Sequence, residues 1–427
     1  MPDGGASTAH LVRPKLATTL AEGYSLAAFR ADAAAGLTVA IVALPLSMAI
    51  AVASGVSPER GLYAAIVGGF VVSALGGSRV QIGGPAGAFI VLVASTVAQY
   101  GVSGLLTAVM LSGLMLMALG AIRIGALIRY MPHTVTVSFT CGIAAVIAAS
   151  QLKDFAGLHL KGAEPGAFLP KLAALGAALP TLNLTALALG MSTVAIILGL
   201  RRLRPTWPGM LIAVIATSAV AWALRLPVET IGSRFGALPH GLLAPALPPL
   251  DPTSVMRLAP AAVSFTLLGA IESLLSAKVA DAMTGRKHRS NMELIAQGAA
   301  NVASALVGGV SVTGTIARTA TNVRAGARTP VSGILHSAFL LGFLLVAAPL
   351  AGYVPLAALA GVLLVVCWNM AERAEFARLL GQWRTAAVVI ATFAVTLLHD
   401  LTAGIVVGCL VAAGFALWRR FGPARRY

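Results

Sequence analysis

The amino-acid sequence predicts an all-α integral membrane protein. Hydrophobic residues make up 58% of the 427-residue chain, charged residues only 10%, and the mean hydropathy is +0.90. Soluble domains carry about 25% charged residues, so this chain could not cover a water-facing surface. Its apolar runs, such as 184–200 and 386–398, are unbroken. Such runs favour spanning helices of ~20 residues over the ~10-residue alternating strands of a membrane barrel.

Fourteen hydrophobic segments follow one another along the chain, several of them short or interrupted by Gly and Pro. They lie at 32–54, 60–76, 84–99, 103–121, 131–151, 181–200, 207–224, 258–284, 291–307, 314–325, 330–350, 354–370, 384–399 and 401–418. With the N-terminus inside, the cytoplasmic loops hold roughly three times as many Lys and Arg residues as the outer loops. This asymmetry predicts a multi-pass protein of the inner (plasma) membrane with both termini cytoplasmic.

The net charge of +16 has a topological explanation. In a soluble protein such a charge would suggest a nucleic-acid partner. Here the basic residues form short clusters between apolar runs: Arg123 and Arg129; Arg201, Arg202 and Arg204; Arg286, Lys287 and Arg289; Arg419, Arg420, Arg425 and Arg426. Clusters of this kind are typical of cytoplasmic loops. We therefore expect the lipid bilayer as a partner, and no nucleic acid.

Motifs of catalysis and cofactor binding are missing from the sequence. Cys141, Cys367 and Cys409 lie within apolar runs and have neither metal-ligand nor disulfide spacing. No phosphate-binding loop, nucleophile elbow or dinucleotide fingerprint is present. We therefore predict no enzyme activity, no catalytic residue, no metal site and no cofactor. Without a nucleotide site, transport would be driven by gradients.

The chain divides into two halves of seven segments. The division falls at 227–257, a stretch rich in Pro and Gly. Because seven is odd, two such halves are inverted relative to one another. The predicted organisation is a cytoplasmic N-terminal segment 1–30, a first inverted repeat 31–226, an extracytoplasmic linker 227–257, a second inverted repeat 258–420 and a cytoplasmic tail 421–427.

The third segment of each half is unusual. Segment 3 opens with the residues from Gln81 to Ala88, and segment 10 opens with those from Gly308 to Thr315. Each joins an extended stretch to a half-helix, and such pairs indicate a transporter's binding site. Pro85 suits a first helical turn, with free amides following from Ala86 to Phe89. Thr313 or Thr315 could cap the second half-helix. Facing helix N-termini would bind an anion.

Two charged residues fall within the predicted spans. Arg318 lies one turn into segment 10, and Glu272 lies in the middle of segment 8. Charges at this depth indicate function, so Arg318 would attract the anion and Glu272, helped by Ser276, would carry a proton. The alternative is a structural ion pair between them, with Lys278 as another candidate partner for Glu272.

Four further residues are predicted to have structural roles and not to bind the anion. We expect two carboxylates, Asp281 and Glu293, near the cytoplasmic ends of their segments, at the membrane interface. We expect His336 and Cys367 to serve packing.

Two blocks of the sequence resemble the SulP family of anion permeases, the group of sulfate permeases, pendrin and prestin. The first block comprises Ala43–Ala51, Gly61–Tyr63, Gly76–Arg79, Gly84 and Pro85. The second comprises Glu272, Ser273, Ala277, Lys278, Asn291–Leu294, Gly298, Asn301, Gly308, Gly309, Thr313–Thr315 and Arg318–Ala320. The order and spacing of these residues are specific, and general similarity covers roughly 30–420.

The resemblance implies a core domain of segments 1–4 and 8–11 and a gate domain of segments 5–7 and 12–14. The anion would bind between the starts of segments 3 and 10, near segment 1. On this chain the implied binding residues are Leu46, Ile50, Ala86, Gly87, Ala88, Thr313, Gly314, Thr315, Ala317 and Arg318. Family members often carry Gln near Leu46 and Ser at Ala317, so this pocket is less polar. They also carry a cytoplasmic STAS domain after the last span, which we do not expect within residues 1–427.

The sequence thus predicts a secondary active transporter of small anions. The candidate anions are carboxylates or dicarboxylates, bicarbonate and sulfate. We expect proton-coupled symport by an elevator-type movement, with Glu272 and Ser276 as the coupling residues. The alternatives are a proton-coupled nucleobase permease of the same fold and an uncoupled anion exchanger or channel. The sequence is compatible with a homodimer but does not specify one.

Overall fold

The computed structural model describes residues 13–126, 132–162, 164–165, 167–205, 207–237, 239, 241–399 and 401–421. Among the predicted features, Arg129, Arg425 and Arg426, the first twelve residues and nearly all of the tail 421–427 lie outside this part of the chain. The described part contains eighteen α-helices and one two-stranded sheet. It is therefore almost entirely helical, as the composition predicts.

The first half of the chain contains ten α-helices. They are α1 (Lys15–Ala21), α2 (Leu26–Ala53), α3 (Pro58–Tyr63), α4 (Gly69–Leu75), α5 (Ile90–Ala121), α6 (His133–Phe155), α7 (Phe168–Ala177), α8 (Leu184–Leu203), α9 (Gly209–Ala223) and α10 (Ile231–Phe235). A π-helical turn, Ala64–Gly68, joins α3 to α4, and a 3-10 turn, Gly87–Phe89, leads into α5.

The second half contains eight α-helices within the described residues. They are α11 (Pro252–Thr284), α12 (Ser290–Leu306), α13 (Ile316–Arg324), α14 (Val331–Ala351), α15 (Leu356–Met370), α16 (Arg373–Leu379), α17 (Trp383–Leu398) and α18 (Leu401–Phe421). Side-chain caps start several long helices: Asn183 accepts from the Thr185 and Ala186 amides at α8, and Asp251 accepts from the Ser254 amide at α11.

All fourteen predicted segments coincide with helix. Segments 3 and 4 form the continuous helix α5, which turns at Gly101 (φ 70°, ψ −178°), a backbone conformation that favours glycine. Within the described residues, seven helices are long and apolar enough to cross a bilayer on their own. Several of the other segments are shorter helices, and segment 2 is divided by its π-helical turn.

A two-stranded antiparallel sheet joins the two halves. Strand β1 (Gly83–Gly84) pairs with β2 (Thr313–Gly314), with Gly83 opposite Gly314 and Gly84 opposite Thr313. The arm of α5 from Gly87 to Tyr100 starts directly after β1, and α13 starts directly after β2. The two arms measure about 20 Å and 14 Å, short of the ~30 Å hydrocarbon layer. We call them the half-helices.

Glycine contacts hold the helices around this crossing close together. A Cβ atom at Gly113 of α5 would lie 2.6 Å from the carbonyl oxygen of Gly298 in α12, and the reverse distance is 2.4 Å. A Cβ atom at Gly36 of α2 would lie 2.5 Å from the carbonyl oxygen of Ser332 in α14. Small residues allow such backbone approach between membrane helices.

The structure corrects the prediction that Glu293 lies at the membrane interface. The side chain was expected at the interface, but the residue is fully buried and accepts hydrogen bonds from the amides of Gly77 (2.8 Å) and Ser78 (3.0 Å). Asp32 is likewise buried and accepts from the amides of Arg328 and Thr329. Both carboxylates satisfy turn amides that would otherwise lack a partner. Asp281, by contrast, is partly exposed and bonds to His288.

Candidate functional site

Free backbone amides surround the β1–β2 crossing. Ala86 begins the first half-helix as its N-cap, so Pro85 lies just before the cap and not in the first turn as predicted. The Phe89 amide bonds to Ala86, whereas the Gly87 and Ala88 amides have no hydrogen-bond partner in the described part of the chain. Helix N-termini with free N–H groups favour anions.

The second half-helix also begins without a side-chain cap. The Thr315 hydroxyl donates to the carbonyl oxygen of Ile82 (3.3 Å), and the Thr313 hydroxyl donates to that of Gly269 (3.4 Å). The predicted capping by one of these hydroxyls is therefore wrong, because both hydroxyls bind neighbouring segments. The first amides of α13, at Ile316, Ala317 and Arg318, have no partner among the described residues.

The walls beside these amides are apolar. Leu46 and Ile50 of α2 and Ala86 and Ala88 of the first half-helix are each at most 9% exposed. Ala317 is exposed, so the start of the second half-helix is open on one side. The predicted binding residues on α2 and the first half-helix thus belong to one buried apolar cluster.

Gly87 and Gly314 have different surroundings. A Cβ atom at Gly87 would lie 3.6 Å from Cδ1 of Ile147 in α6, an ordinary contact. A Cβ atom at Gly314 would lie 1.7 Å from Nε2 of Gln81, so only glycine fits beside that side chain. Gly314 is buried under Gln81 and shapes the crossing.

The Arg318 side chain packs against Gly84 of β1. It is 1% exposed, and its Nη2 donates to Oγ of Ser47 (3.1 Å) and to the carbonyl oxygen of Pro85 (3.3 Å). Its Nε and Nη1 have no partner among the described residues. A Cβ atom at Gly84 would lie 2.0 Å from Nη1, so the guanidinium fills the space that this glycine leaves. Arg318 therefore ties α13 to α2 and to the first half-helix.

Glu272 does not form the ion pair with Arg318 that was the structural alternative. In the described part of the chain, its carboxylate makes no hydrogen bond or ion pair, and the residue is partly exposed. Ser276 bonds to the hydroxyl of Thr319 (3.2 Å) and not to Glu272. The contacts of Gly269 with Thr313 and of Ser276 with Thr319 bracket Glu272 along α11. Glu272 therefore lies between two contacts with the second half-helix and its strand.

Several supporting residues were missed from sequence. Gln81 donates to the Ser273 hydroxyl (3.1 Å), and Thr319 accepts from the Ile82 amide (3.1 Å). Asn301 accepts from the Val312 amide and donates to the Val312 carbonyl, both at 2.9 Å. These bonds fix β1 and β2. Asn301 stood in the motif that carried the resemblance, which was the available signal.

The remaining predictions concern Lys278, His336 and Cys367. Lys278 is exposed, and no ion pair of its side chain occurs in the described residues. His336 is fully buried, and neither ring nitrogen has a hydrogen-bond partner in the same part of the chain. Cys367 is a buried free thiol. The last two positions are compatible with packing.

These features define a class of protein: a multi-pass membrane transporter with paired half-helices. The profile of the sulfate permease family matches residues 29–395, so the chain belongs to that family. The family predicted from the sequence is therefore confirmed.

Similar proteins support this assignment. YvdB of Bacillus subtilis, whose name places it among sulfate transporters, is 42% identical over 95% of this chain and 76% of its own length. The bicarbonate transporter BicA of Picosynechococcus is 31% identical over 90% of this chain and 69% of its own length. Because the relatives are named as transporters, the chain is a transport protein and not an enzyme.

Solved structures show the same fold. The transmembrane domain of a cyanobacterial BicA matches with a TM-score of 0.80 and 31% identity, covering 90% of this chain and 98% of that one. SLC26A9 matches with a TM-score of 0.86 and 18% identity, covering 97% of this chain and 69% of that one. The predicted fold class, two inverted repeats of seven segments with core and gate domains and half-helices 3 and 10, is confirmed.

Proposed function

We propose that this protein is a secondary active transporter that binds one small anion between the half-helices. The observation that carries this proposal is the set of five amides at the starts of the half-helices that have no partner among the described residues, with the buried Arg318 guanidinium beside them. Helix N-termini and a guanidinium both favour negative charge. Arg318 also distinguishes the site from one for a neutral nucleobase.

Bicarbonate, sulfate and small carboxylates or dicarboxylates are the candidate cargoes. Each has oxygen atoms that can accept hydrogen bonds from amides. The names of BicA and YvdB support bicarbonate and sulfate, respectively. The apolar side chains of Leu46, Ile50 and Ala86 offer no further polar groups, so they favour a small anion that binds the amides and Arg318.

The coupling ion is a proton in this proposal, with Glu272 as its carrier. The carboxylate is partly exposed, makes no hydrogen bond or ion pair in the described residues, and lies along α11 beside the second half-helix. A carboxylate at this depth is costly, and proton relays are among its functional uses. Ser276 would act indirectly, because its bond to Thr319 fixes α11 against α13.

An elevator-type movement suits the packing. The close contacts of α5 with α12 and of α2 with α14 would keep the core domain rigid while it moves against the gate domain. In the proposed topology the protein lies in the plasma membrane with both termini cytoplasmic, and the domain boundaries are those predicted from the sequence.

Uptake by purified protein in proteoliposomes tests the proposed function. Labelled bicarbonate, sulfate, a C4-dicarboxylate and uracil are each presented with and without an inward proton or sodium gradient. We expect accumulation of at least one anion with a proton gradient and no accumulation of uracil. Uptake of uracil alone would overturn the proposal, and sodium-dependent anion uptake without a pH effect would reject proton coupling.

A further inference from the structure

An apolar groove of about 730 Å³ lies on the gate helices, away from the half-helices. Its floor contains small or buried side chains of α6 and α15, among them Ala144, Ala148 and Val365. Larger side chains form the walls, including Met191 of α8 and Phe393 of α17. Met191 is 55% exposed, so the groove opens onto the outer surface of the helices.

Arg373 gives the groove one charged end. It is the only charged residue among those that line the groove. Its guanidinium carbon lies 3.5 Å from the ring centroid of Trp368, and it forms no ion pair with the described residues. The nearby Glu375 pairs with Arg378 (2.6 Å), and Arg201 donates to Asn369 beside Trp368 (2.8 Å). A second cation thus lies near the same end of the groove.

The groove is longer than the hydrocarbon part of one leaflet of a bilayer. On α6 the lining residues run from Cys141 to Phe155, which corresponds to about 21 Å along the helix axis. One leaflet contributes about half of the ~30 Å hydrocarbon layer. The arginine lies where α15 ends and α16 begins, at the cytoplasmic surface in the proposed topology. An occupant therefore needs a long apolar part and an anionic group at that end.

We propose that the groove binds one acyl chain of a membrane phospholipid and that Arg373 binds the lipid's phosphate. The phosphate is common to lipids with charged and with neutral headgroups, and basic pockets between membrane helices on the cytoplasmic side bind lipid phosphates. The cation–π contact with Trp368 holds the guanidinium at the mouth of the groove. The apolar walls exclude a free phosphate ion.

The lipid would also support the anion site. Ile147 lies on α6 between the groove-lining residues Ala144 and Ala148, is 1% exposed, and its Cδ1 would lie 3.6 Å from a Cβ atom at Gly87. A chain bound against Ala144 and Ala148 therefore keeps α6 packed against that half-helix. This consequence rests on the proposed function, whereas lipid binding itself does not.

Fluorescence of Trp368 measures the binding directly. The other four tryptophans, Trp207, Trp222, Trp383 and Trp418, are replaced by Phe, and the protein in detergent is titrated with phosphatidylglycerol or phosphatidylcholine carrying brominated acyl chains. We expect quenching that saturates near one lipid per chain. Filling the groove with Ala145→Leu and Ala148→Leu should weaken the apparent affinity about tenfold, equivalent to ~1.4 kcal/mol. Ala219→Leu, on an exposed face of α9, which does not line the groove, is the matched control.

Arg373→Gln leaves the groove open and tests the phosphate contact. Weaker binding of both lipids supports phosphate recognition, and weaker binding of phosphatidylglycerol alone supports recognition of a charged headgroup at the same site. Quenching that never saturates, or that is unchanged in the filled variant, overturns the proposal. The proposal is also overturned if filling the groove leaves lipid quenching unchanged but converts a dimer to a monomer in light scattering. A second copy of the chain would then occupy the groove.

Discussion

Arg318 is the residue on which anion binding most depends in this account. Arg318→Ala removes a buried charge beside the free amides and should weaken anion binding by about tenfold to a hundredfold, since hydrogen bonds to charged groups contribute ~1.5–3 kcal/mol. Arg318→Lys keeps the charge but loses the fork that reaches Ser47 and Pro85, so its effect should be smaller. Calorimetric titration of the purified variants with the transported anion gives both values.

Ser47→Ala is the control for the structural part of this effect. It removes one hydrogen bond of the guanidinium and leaves the charge in place. We expect a smaller loss of affinity than for Arg318→Ala, together with a measurable loss of thermal stability. Wild-type affinity in a folded Arg318→Ala variant would place the anion elsewhere.

Glu272→Gln tests whether this residue couples anion transport to a proton gradient. Gln has nearly the shape of Glu but cannot carry the proton, so accumulation driven by a proton gradient should be lost. Exchange of internal for external anion should continue, because the amides and Arg318 are unchanged. Counterflow and gradient-driven uptake are measured in the same proteoliposomes, with Ser276→Ala as a comparison. Loss of both activities in a well-folded Gln variant would indicate a structural role for Glu272.

The sequence indicated the charged residues of the site but not their partners. Arg318 and Glu272 stand out because charges within apolar runs are rare. The partner of Arg318 is Ser47, which lies 271 positions away, and Gln81 reaches Ser273 across 192 positions. Such contacts depend on how helices pack, and no local pattern reports them. The alternative of an ion pair between Arg318 and Glu272 therefore rested on charge alone.

At the scale of an element, strand β2 shows how one added carbon atom would disturb the packing. In Gly314→Ala the added Cβ would lie 1.7 Å from Gln81, so the β1–β2 crossing must shift. Overpacking typically costs ~1–3 kcal/mol, and we expect a lower melting temperature and weaker anion binding. Gly342→Ala, where a Cβ meets no atom within 4 Å, is the matched control. The double variant with Gln81→Ala should regain stability; a double variant as unstable as Gly314→Ala would contradict this explanation.

An ion pair between Glu22 and Arg79 adds to the bonds by which Arg289 holds the start of helix α1. Glu22 accepts from Arg79, and this bond lowers the pKa of Glu22 below its ordinary 4.5. A lowered pKa in the docked state means that the contact is complete above pH 4.5 and is lost as the pH falls through the lower value. Proteolysis at Lys15 should therefore accelerate at acid pH. Glu22→Gln should accelerate it at neutral pH; equal rates for both proteins at pH 7 would show that other contacts hold α1.

The helices themselves were predictable because each carries a long apolar run. The short helices α7, α10 and α16 were not predicted, because they lie in loops with no span-length pattern. The 3-10 turn before α5 and the missing cap of α13 were also unforeseen. Both depend on backbone bonds across the β1–β2 crossing, such as that from the Thr315 amide to the Ile82 carbonyl.

At the scale of the whole molecule, the two repeats contribute equivalent halves of the β1–β2 crossing. Each supplies a short strand and a half-helix, and the strands pair at the centre of the chain's fold. Glycine contacts join α5 to α12 and α2 to α14, so elements of both repeats pack as one body around the crossing. The inverted organisation followed from the odd number of segments, whereas the pairing of Gly83 with Gly314 required the structure.

Protection of a thiol at position 317 tests the central claim that the anion binds between the half-helices. Ala317 is exposed at the start of α13, so Ala317→Cys in a background without Cys141, Cys367 and Cys409 should react with a methanethiosulfonate reagent. We expect the transported anion to slow this reaction several-fold at saturation, whereas uracil should have no effect. Ala223→Cys, on an exposed end of α9, should react at the same rate under all conditions. An unchanged rate at position 317 with saturating transported anion would contradict the account.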